Sequence, residues 1–479
     1  MKRLALVVIG VAALGSFRAS AQTPAPASAG APTFAKDVAP IMYKKCANCH
    51  RPGEVAPMNL MSYDDARPWA KAIKAKVVSR EMPPWGADMT QSLPMRNDIS
   101  LSQKEIDTIA AWVDGGAARG NIADMPPAPK FASGWSFGTR EPDAVLEMPV
   151  EFDIPAEGEV GVQMFYSKVP WAEDRFAEVV ELHPSNRAVL HHAGIYFVDI
   201  PEGSSLVNGR IVGADGKIIG DRGSRGLPST DSGLPGSSKL LSWVPGRGLD
   251  IHRPNIGKRI PAGKYVNWQM HYNPTGTPQK DRTKLGIWFN KVPVTHEVLI
   301  RQAGDPLATT KGGLSIYRAE GRETEYVADP SSTRRSRTTP NIPPYAENWK
   351  LTGITPVTED ITLYAMSPHM HLRGKSLKWV VTYPDGREQV ILNVPKFDFN
   401  WQFNYELAEP LKIPAGSKIT GIGVYDNSVR NKWNPGPQLE VFWSEQSWDE
   451  MYQPFTEYSV DSQDLTVLKK LNTSSQQKQ

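Results

Sequence analysis

The sequence predicts a multidomain protein in which a small all-α domain precedes two all-β sandwich domains. Three observations lead to this fold class. The 479 residues are too many for one ordinary hydrophobic core. Helical signals lie near the N-terminus, whereas short strand-like segments separated by Gly, Pro and Asn turns continue to about residue 460. The 41 Pro, 39 Gly, 14 Trp and 15 Tyr are typical of turn-rich β structure.

The N-terminus has the pattern of a secretory signal peptide. Lys2 and Arg3 precede a short apolar stretch from Leu4 to Gly15, and Ala19-Ser20-Ala21 offers the small residues of a cleavage site. The apolar stretch is too short to span a bilayer. We therefore expect a periplasmic or secreted protein without a membrane span. The net charge of +3 gives no indication of nucleic-acid binding.

Composition shifts divide the chain into seven parts. The Pro-rich run Met125-Pro126-Pro127-Ala128-Pro129 is typical of a linker, and the last residues are polar. The predicted parts are a signal peptide (1–21), a linker (22–33), the α domain (34–124), a Pro-rich linker (125–135), a first β-sandwich (136–295), a second β-sandwich (296–460) and a C-terminal tail (461–479).

The two cysteines of the chain lie in one motif, Cys46-Ala47-Asn48-Cys49-His50. Thiols at this spacing can add to the two vinyl groups of haem, and the following His50 then ligates the iron. The alternatives are a thioredoxin-like redox pair or half of a zinc site. The chain has no second cysteine pair to complete a zinc site, and no βαβ pattern surrounds the motif. The motif therefore predicts one covalent haem c.

Helical signals flank this motif. The segment from Phe34 to Lys45 predicts a helix that leads into it, and Ser102 with Glu105 forms a capping box that opens a second helix closed by Gly115. Apolar residues of the second helix recur at helical spacing, at Ile106, Ile109, Ala110 and Val113. The domain resembles a class I cytochrome c.

The sixth ligand of the haem iron is a methionine by this interpretation. Candidates are Met58, Met82, Met89 and Met95. We favour Met82, because the Pro83-Pro84-Trp85 that follows stiffens the backbone, and because the segment resembles cytochrome c domains with the same MPPW sequence. A thioether ligand raises the haem potential, as suits electron transfer. The alternative is that Met82 only packs against the porphyrin edge.

Five of the nine histidines fall in three settings. His369 and His371 stand two apart, so on a strand both imidazoles face one side and could bind one metal. His271 alternates with buried-type residues and should face away from the apolar side of its strand. The adjacent His191 and His192 could reach one metal only at a bend, a bulge or a strand end. Exposed or packed histidines remain the alternative in each setting.

The order of these segments resembles the copper type II, ascorbate-dependent monooxygenases, the family of peptidylglycine alpha-hydroxylating monooxygenase and dopamine beta-monooxygenase. The resemblance covers about residues 140–460, which correspond to both jelly-roll domains of that family. Its most specific segments are His191-His192, Met270-His271-Tyr272 and Tyr364 to Lys375. A fourth, Trp448-Asp449-Glu450-Met451, is similar to the family's DEM segment, whose methionine is a copper ligand.

The resemblance implies two coppers in separate domains. His191, His192 and His271 would hold an electron-transferring copper. His369, His371 and Met451 would hold the copper at which oxygen and an organic substrate react, and these three are the expected catalytic residues. Imidazole suits both copper oxidation states, and a thioether favours Cu(I). Met451 could instead be an ordinary packing residue.

Two departures from the family weaken the case for a glycine-extended peptide substrate. The peptidylglycine enzyme has an Arg two residues before the first His of HxH, where this chain has Ser367. It has Asn and Tyr beyond the ligand methionine, where this chain has Gln453 and Phe455. After haem attachment no thiol remains for the disulfides of the animal enzymes.

The sequence thus predicts an exported monooxygenase that hydroxylates a C–H bond with O2. Electrons would pass from an external donor to the haem, then to the first copper and then to the second, within one chain and hence at high effective concentration. Two other classes remain open at this point. The β domains could bind copper without oxygen chemistry, as a periplasmic electron-transfer or copper-binding protein, or they could be a scaffold that displays the cytochrome to a partner.

Overall fold

A computed structural model describes residues 30–132, 134–138, 140–219, 237–305, 315–320, 326–328, 340–444 and 446–466. The predicted signal peptide lies outside the described residues, as do most of the predicted linker at 22–33 and the end of the predicted tail. Within the described part, β-strands dominate. The prediction of two β-sandwiches after an N-terminal helical region agrees with this β-rich architecture.

The N-terminal helical module, residues 30–124, carries four α-helices. They are α1 (Ala39–Lys45), α2 (Tyr63–Ala66), α3 (Ala70–Val78) and α4 (Gln103–Asp114), with a π-helical turn at Phe34–Val38 and 3₁₀ turns at Arg67–Trp69 and Ile122–Asp124. The helix predicted to lead into the cysteine motif is confirmed as the π turn plus α1. The predicted capping box of α4 is confirmed too, because the Ser102 hydroxyl accepts from the Glu105 N–H while the Glu105 side chain accepts from the Ser102 N–H.

The buried face of α4 differs from the predicted stripe in one respect. Ile106 and Ile109 are buried as expected, but the third fully buried residue is Trp112, whereas Ala110 and Val113 are only partly covered. Trp112 packs against Phe34 with ring centroids 5.9 Å apart. A large aromatic side chain can reach the core from a position beside the ideal stripe, which the spacing of small aliphatic residues does not reveal.

The first sandwich encloses a core of aliphatic and aromatic residues between two sheets. One sheet has the order β1-β14-β4-β11-β15 with β10 beside β4, and the other has the order β3-β12-β5-β9. Two small additional sheets pair β2 with β13 and join β6, β7 and β8. The strands of the first sandwich are β1 (Ala144–Glu147), β2 (Phe152–Ile154), β3 (Gln163–Lys168), β4 (Arg175–His183), β5 (Leu190–Val198), β6 (Ser205–Val207), β7 (Arg210–Val212), β8 (Ile218–Ile219), β9 (Ser238–Trp243), β10 (Asp250–Ile251), β11 (Ile256–Ile260), β12 (Tyr265–Tyr272), β13 (Gln279–Asp281), β14 (Lys284–Phe289) and β15 (His296–Glu297).

The second sandwich repeats this plan with its own core. Its sheets have the orders β16-β25-β20-β23 and β18-β17-β19-β24-β21-β22. The strands are β16 (Leu299–Gln302), β17 (Ser315–Ala319), β18 (Tyr326–Ala328), β19 (Trp349–Pro356), β20 (Ile361–His369), β21 (Gly374–Thr382), β22 (Glu388–Val394), β23 (Tyr405–Ile413), β24 (Lys418–Tyr425) and β25 (Gln453–Val460). The chain passes from the first sandwich to the second between β15 and β16.

A segment of the helical module, residues 85–97, packs on the second sandwich, and we call it the strap. Its Trp85 is buried against Tyr405 with ring centroids 4.6 Å apart. The N–H of Asp88 donates to the carbonyl of Asn393 at 2.8 Å, and Met95 forms a β-bridge with Leu407. The strap therefore fastens the helical module to the second sandwich.

Buried charges join the two sandwiches. The Lys258 ammonium lies 2.8 Å from Asp250 of its own sandwich and 3.4 Å from Glu457 of the other, and its side chain is almost fully buried. Arg96 of the strap pairs with Glu406 and also donates to the Ile251 carbonyl. Such paired charges fix the relative orientation of the units more than they add stability. Among the described residues, no helix is long and apolar enough to cross a membrane.

Candidate metal centre between the sandwiches

A bulge in the first sandwich brings its three histidines together. β5 carries His191 and His192, and the neighbouring β12 carries His271. His271 pairs with His192, but Tyr272 pairs with Leu190, so His191 is the extra residue of a β-bulge. A bulge is one of the three arrangements, with a bend and a strand end, that were expected to let adjacent histidines reach one metal. These three residues are called the first set below.

The first set is compact. The rings of His192 and His271 stack with centroids 3.8 Å apart, and the Nδ1 atoms of His191 and His192 are 3.0 Å apart. The alternation predicted for β12 is confirmed in part. Val266, Trp268, Met270 and Tyr272 are buried and His271 is half-buried, but Asn267, on the same face as His271, is buried as well. The Nε2 of His192 is buried without a hydrogen-bond partner. A buried nitrogen without a partner is costly unless something else binds it.

The second set, His369, His371 and Met451, forms at the end of β20. The Nε2 of His369 lies 3.2 Å from the sulfur of Met451, and the rings of His369 and His371 have centroids 5.2 Å apart. The expectation that both histidines lie on one strand is wrong. β20 ends at His369, and His371 follows in a turn, where Gly374 donates its N–H to the carbonyl of His371. The turn still directs both imidazoles to one pocket.

Main-chain and side-chain hydrogen bonds hold the second set. His371 Nδ1 lies 3.2 Å from the carbonyl of Asp449, so Nδ1 is the protonated nitrogen and Nε2 carries the lone pair. That Nε2 is buried without a partner. The Glu450 carboxylate accepts from three backbone N–H groups, of His371, Arg373 and Met451. These bonds fix the loop that carries Met451 beside the turn that carries His371.

Two residues of this framework escaped the sequence reasoning. Arg373 is buried, and its guanidinium donates to Asn427 and to the Trp448 carbonyl. Glu450 stands beside a predicted ligand but was given no role. The loop Phe399-Asn400-Trp401-Gln402 was missed as well, although Gln402 hydrogen-bonds Nδ1 of His369. No spacing rule points to these residues, because each acts through tertiary contacts.

The two sets face each other in one pocket. The rings of His192 and His369 have centroids 6.0 Å apart. Phe399 lies between the sets, with its ring 5.3 Å from that of His192 and 5.7 Å from that of His371. Asn400 Oδ1 is 3.0 Å from Nε2 of His191. The resemblance implied one metal site in each β domain. In the structure five of the six candidate ligands, all except His191, line a shared cavity, and His191 lies beside it in contact with His192 and Asn400.

Burial keeps these imidazoles neutral. Desolvation lowers the pKa of His191 and of His371 to about 4, and it lowers the pKa of His192, His271 and His369 well below the ordinary value. Neutral imidazoles with an available lone pair are the form that binds a metal. Burial also raises the pKa of Glu450 to about 7, and its three N–H donors oppose that change.

The donor set fits copper. Neutral imidazoles and one thioether are ligands for copper in both oxidation states, and a hard cation such as Mg²⁺ or Ca²⁺ would require oxygen ligands. Within the described part of the chain, the group of His, Asp and Glu side chains whose ligand atoms all lie within 4.8 Å of one another is a different one, Asp250, His252 and Glu457. There, however, the Lys258 ammonium already lies beside both carboxylates. The histidine pocket is therefore the candidate metal centre.

The cysteine motif lies at the end of α1 and in the turn that follows. Cys46 and Cys49 are free thiols, and burial raises the pKa of Cys46 to about 12 and of Cys49 to about 11. The Nδ1 of His50 is 3.1 Å from the carbonyl of Met58. That contact orients the ring and leaves Nε2 as the atom that could ligate iron. The motif therefore fits a covalently attached haem.

The methionine candidates for the sixth ligand lie in different places. Met89 and Met95 belong to the strap and pack on the core of the second sandwich, and the Met89 sulfur accepts from the Trp85 indole N–H at 3.2 Å. Met58 packs on the core of the helical module. Met82 is partly exposed, and its backbone N–H donates to the carbonyl of Lys76. Met82 stays a prediction.

Comparisons with known proteins do not identify a family. No family model and no curated protein matches the chain. Among solved structures, an allantoicase is similar at 9% identity and a TM-score of 0.16, over 57% of this chain and 79% of that chain. A xanthan lyase from Paenibacillus is similar at 12% identity and a TM-score of 0.16, over 72% of this chain and 29% of that chain. Likenesses of this size carry no functional argument.

Proposed function

We propose that the protein is a haem- and copper-containing exported monooxygenase of the copper type II family, and that the helical module is its cytochrome c domain. The observation that carries the proposal is the convergence of four imidazoles and one thioether, from segments far apart in sequence, on one pocket, with a fifth imidazole, that of His191, in contact with His192. Bound copper would supply one-electron redox chemistry and activate O2. The overall reaction consumes R–H, O2, two electrons and two protons and yields R–OH and water.

The chain's own residues would divide the work as follows. Imidazoles of the first set would hold one copper, and His369, His371 and Met451 would hold the other. The Asp449 carbonyl orients the His371 ring, and Glu450 fixes the Met451 loop beside His371. Trp243 lines the pocket and the Phe399 ring contacts His192, and both apolar side chains would limit the access of water. His50, with Cys46 and Cys49, would hold the haem that receives electrons from an external donor.

A second candidate is a periplasmic electron-transfer or copper-binding protein without oxygenase activity. The short distance between the sets, with the rings of His192 and His369 at 6.0 Å, favours it to some extent, because little space remains between them for an organic substrate. Both candidates require the same cofactors, so metal content alone does not separate them.

Two measurements test the proposal. Protein matured in an oxidising periplasm should contain two coppers and one covalent haem iron per chain by elemental analysis. Ascorbate-driven oxygen uptake, with a panel of organic compounds and detection of 18O in the product, should then show hydroxylation. A protein that binds two coppers and transfers electrons but forms no product would be an electron carrier. A protein without stoichiometric copper would be a scaffold that displays the cytochrome domain.

The same preparation tests the sixth iron ligand. Met82→Leu removes the thioether while keeping similar volume, so the haem potential should fall and the low-spin spectrum should change. Met89→Leu is the matched control, because Met89 contacts Trp85 in the strap. Redox titration of both variants decides the matter. An unchanged potential in Met82→Leu would assign Met82 to packing.

A further inference from the structure

The haem-binding motif touches the first sandwich at a glycine. Gly246 lies in the loop after β9, and a Cβ placed on it would come within 2.6 Å of the Cys49 sulfur. The backbone there has φ of +81°, a conformation that L side chains rarely adopt. The sulfur of the motif therefore packs directly on the main chain of this loop, and any side chain at position 246 would displace one from the other.

This loop leads straight to the first set. Trp243 and Val244 line the histidine pocket, and Val244 is only two residues from Gly246, at most about 7.6 Å along the chain. Trp243 pairs across the sheet with Ala193, the residue after His192. A short covalent and hydrogen-bonded path thus joins the Cys49 contact to His192. Through this pairing the path reaches β5, the strand that carries His191 and His192.

An ion pair also joins the motif to the residues just before β5. Glu54, just after the motif, lies 3.2 Å from Arg187, which precedes β5, and both side chains are largely covered. Arg51 also pairs with Glu54 at 2.6 Å. The motif is therefore fastened to the first sandwich at both Gly246 and Arg187, whereas the strap fastens the rest of the module to the second sandwich.

We propose that the segment Trp243–Gly246 is the electron-entry route, which delivers electrons from a haem on Cys49 to the first set and not directly to the second. The inference rests on the proposed cofactors and deepens that function. Each transfer would move one electron, which would oxidise the haem iron from ferrous to ferric and reduce a copper held by the first set from Cu(II) to Cu(I). An external one-electron donor reduces the haem again.

Gly246→Ala tests the route in the holoprotein. The added Cβ should push the Cys49 sulfur off the loop, while Gly263→Ala is a matched control with a similar φ of +74° and nothing within 4 Å. The haem is reduced by a flash from a ruthenium photosensitiser without oxygen, and its re-oxidation is followed by absorbance. We expect Gly246→Ala to slow this transfer at least about tenfold, since a misplacement of reacting groups by about 1 Å can cost up to about 100-fold. Gly263→Ala should transfer electrons like the wild type.

A second variant covers the case in which Gly246→Ala fails to attach haem. Arg187→Gln removes the ion pair to Glu54, and Arg282→Gln, whose pair with Glu147 is 3.3 Å long, is the control on the same sandwich. Arg187→Gln should slow the transfer about twofold or more, as expected for a partly covered ion pair, and the control should not.

The outcomes separate the route from the enzyme. Equal transfer rates in Gly246→Ala and Gly263→Ala would overturn the route, as would haem re-oxidation that is the same in copper-free protein. Hydroxylation assayed on the same samples reports on the proposed function independently. If the protein hydroxylates and the two glycine variants transfer electrons at equal rates, only the route is wrong. If Gly246→Ala slows electron transfer but no hydroxylated product forms, the route stands and the protein is an electron carrier.

Discussion

The two histidine sets are built in different ways. The second set is supported by its own sandwich, where Glu450 binds three backbone N–H groups and Gln402 and the Asp449 carbonyl orient the two rings. The first set comes from two paired strands and a bulge, and its His191 is oriented by Asn400, which belongs to the other sandwich. Phe399 covers it from the same side.

This difference indicates which set depends on the contact between the sandwiches. Hydrogen bonds that orient a ligand typically contribute about 10–100-fold to metal affinity. The second set obtains them within one unit, so it should keep its geometry if the sandwiches separate. The first set obtains one of them across the interface, so it is complete only when the sandwiches meet.

Removal of one ligand from each set should have the largest effects. His271→Ala and His371→Ala should each reduce copper from two to one per chain, and hydroxylation should fall by more than the 10–100-fold typical of changes around a metal ligand. The two variants should differ in one respect. Flash-reduced haem should no longer be re-oxidised by copper in His271→Ala, but one electron should still leave it in His371→Ala. Loss of that transfer in both variants would contradict separate roles for the sets.

Glu450→Ala should cost the second sandwich about 3 kcal/mol of unfolding free energy, because it leaves three buried N–H groups without an acceptor and each such group costs about 1–3 kcal/mol. Urea unfolding measures this. Glu440→Ala, at an exposed position in the same sandwich, should change the free energy by no more than about 0.5 kcal/mol. Equal midpoints for the two variants would show that the carboxylate does not support the loop.

Asn400→Ala and Gln402→Ala form a pair that tests the comparison directly. Both residues lie on one loop of the second sandwich, but Asn400 contacts His191 and Gln402 contacts His369. Each variant should weaken copper on the order of tenfold at one set only, the first for Asn400→Ala and the second for Gln402→Ala. Competition with a chelator, with the sites resolved by EPR, gives the affinities. Weakening of the same set by both variants would be incompatible with the assignment.

Local signals made part of this molecule predictable. The helix that leads into the cysteine motif and the capping box at Ser102 depend on residues close in sequence, and the structure confirms both. The alternation in β12 is confirmed for its buried apolar face. The haem that the CxxCH motif predicts stays a prediction. The need for a bend, a bulge or a strand end at His191-His192 followed from strand geometry alone, because neighbouring side chains on a flat strand point to opposite faces, and the structure has a bulge there.

Long-range contacts could not be predicted in the same way. The pairing of Trp85 with Tyr405 joins residues 320 positions apart by sequence number (405 minus 85), and the segment around it reads equally well as part of a haem pocket. The position of His371 beyond the end of β20 depends on Glu450, which binds its N–H from another part of the chain. The approach of the two sets requires the docking of two sandwiches, about which residue spacing says nothing.

Phe399→Leu should have the smallest effect on copper affinity, and the effect should be similar at the two sets. The Phe399 ring contacts His191, His192 and His371, with centroids 5.1, 5.3 and 5.7 Å away, so it is the side chain that both sets share. Leu keeps an apolar cover of similar bulk but loses the aromatic contacts, which contribute about 0.5–1.5 kcal/mol. Copper affinity should therefore fall about threefold at both sets, in the same chelator competition. A loss of copper affinity at the first set alone would mean that Phe399, like Asn400, supports only that set. The second set would then depend on this loop only through Gln402.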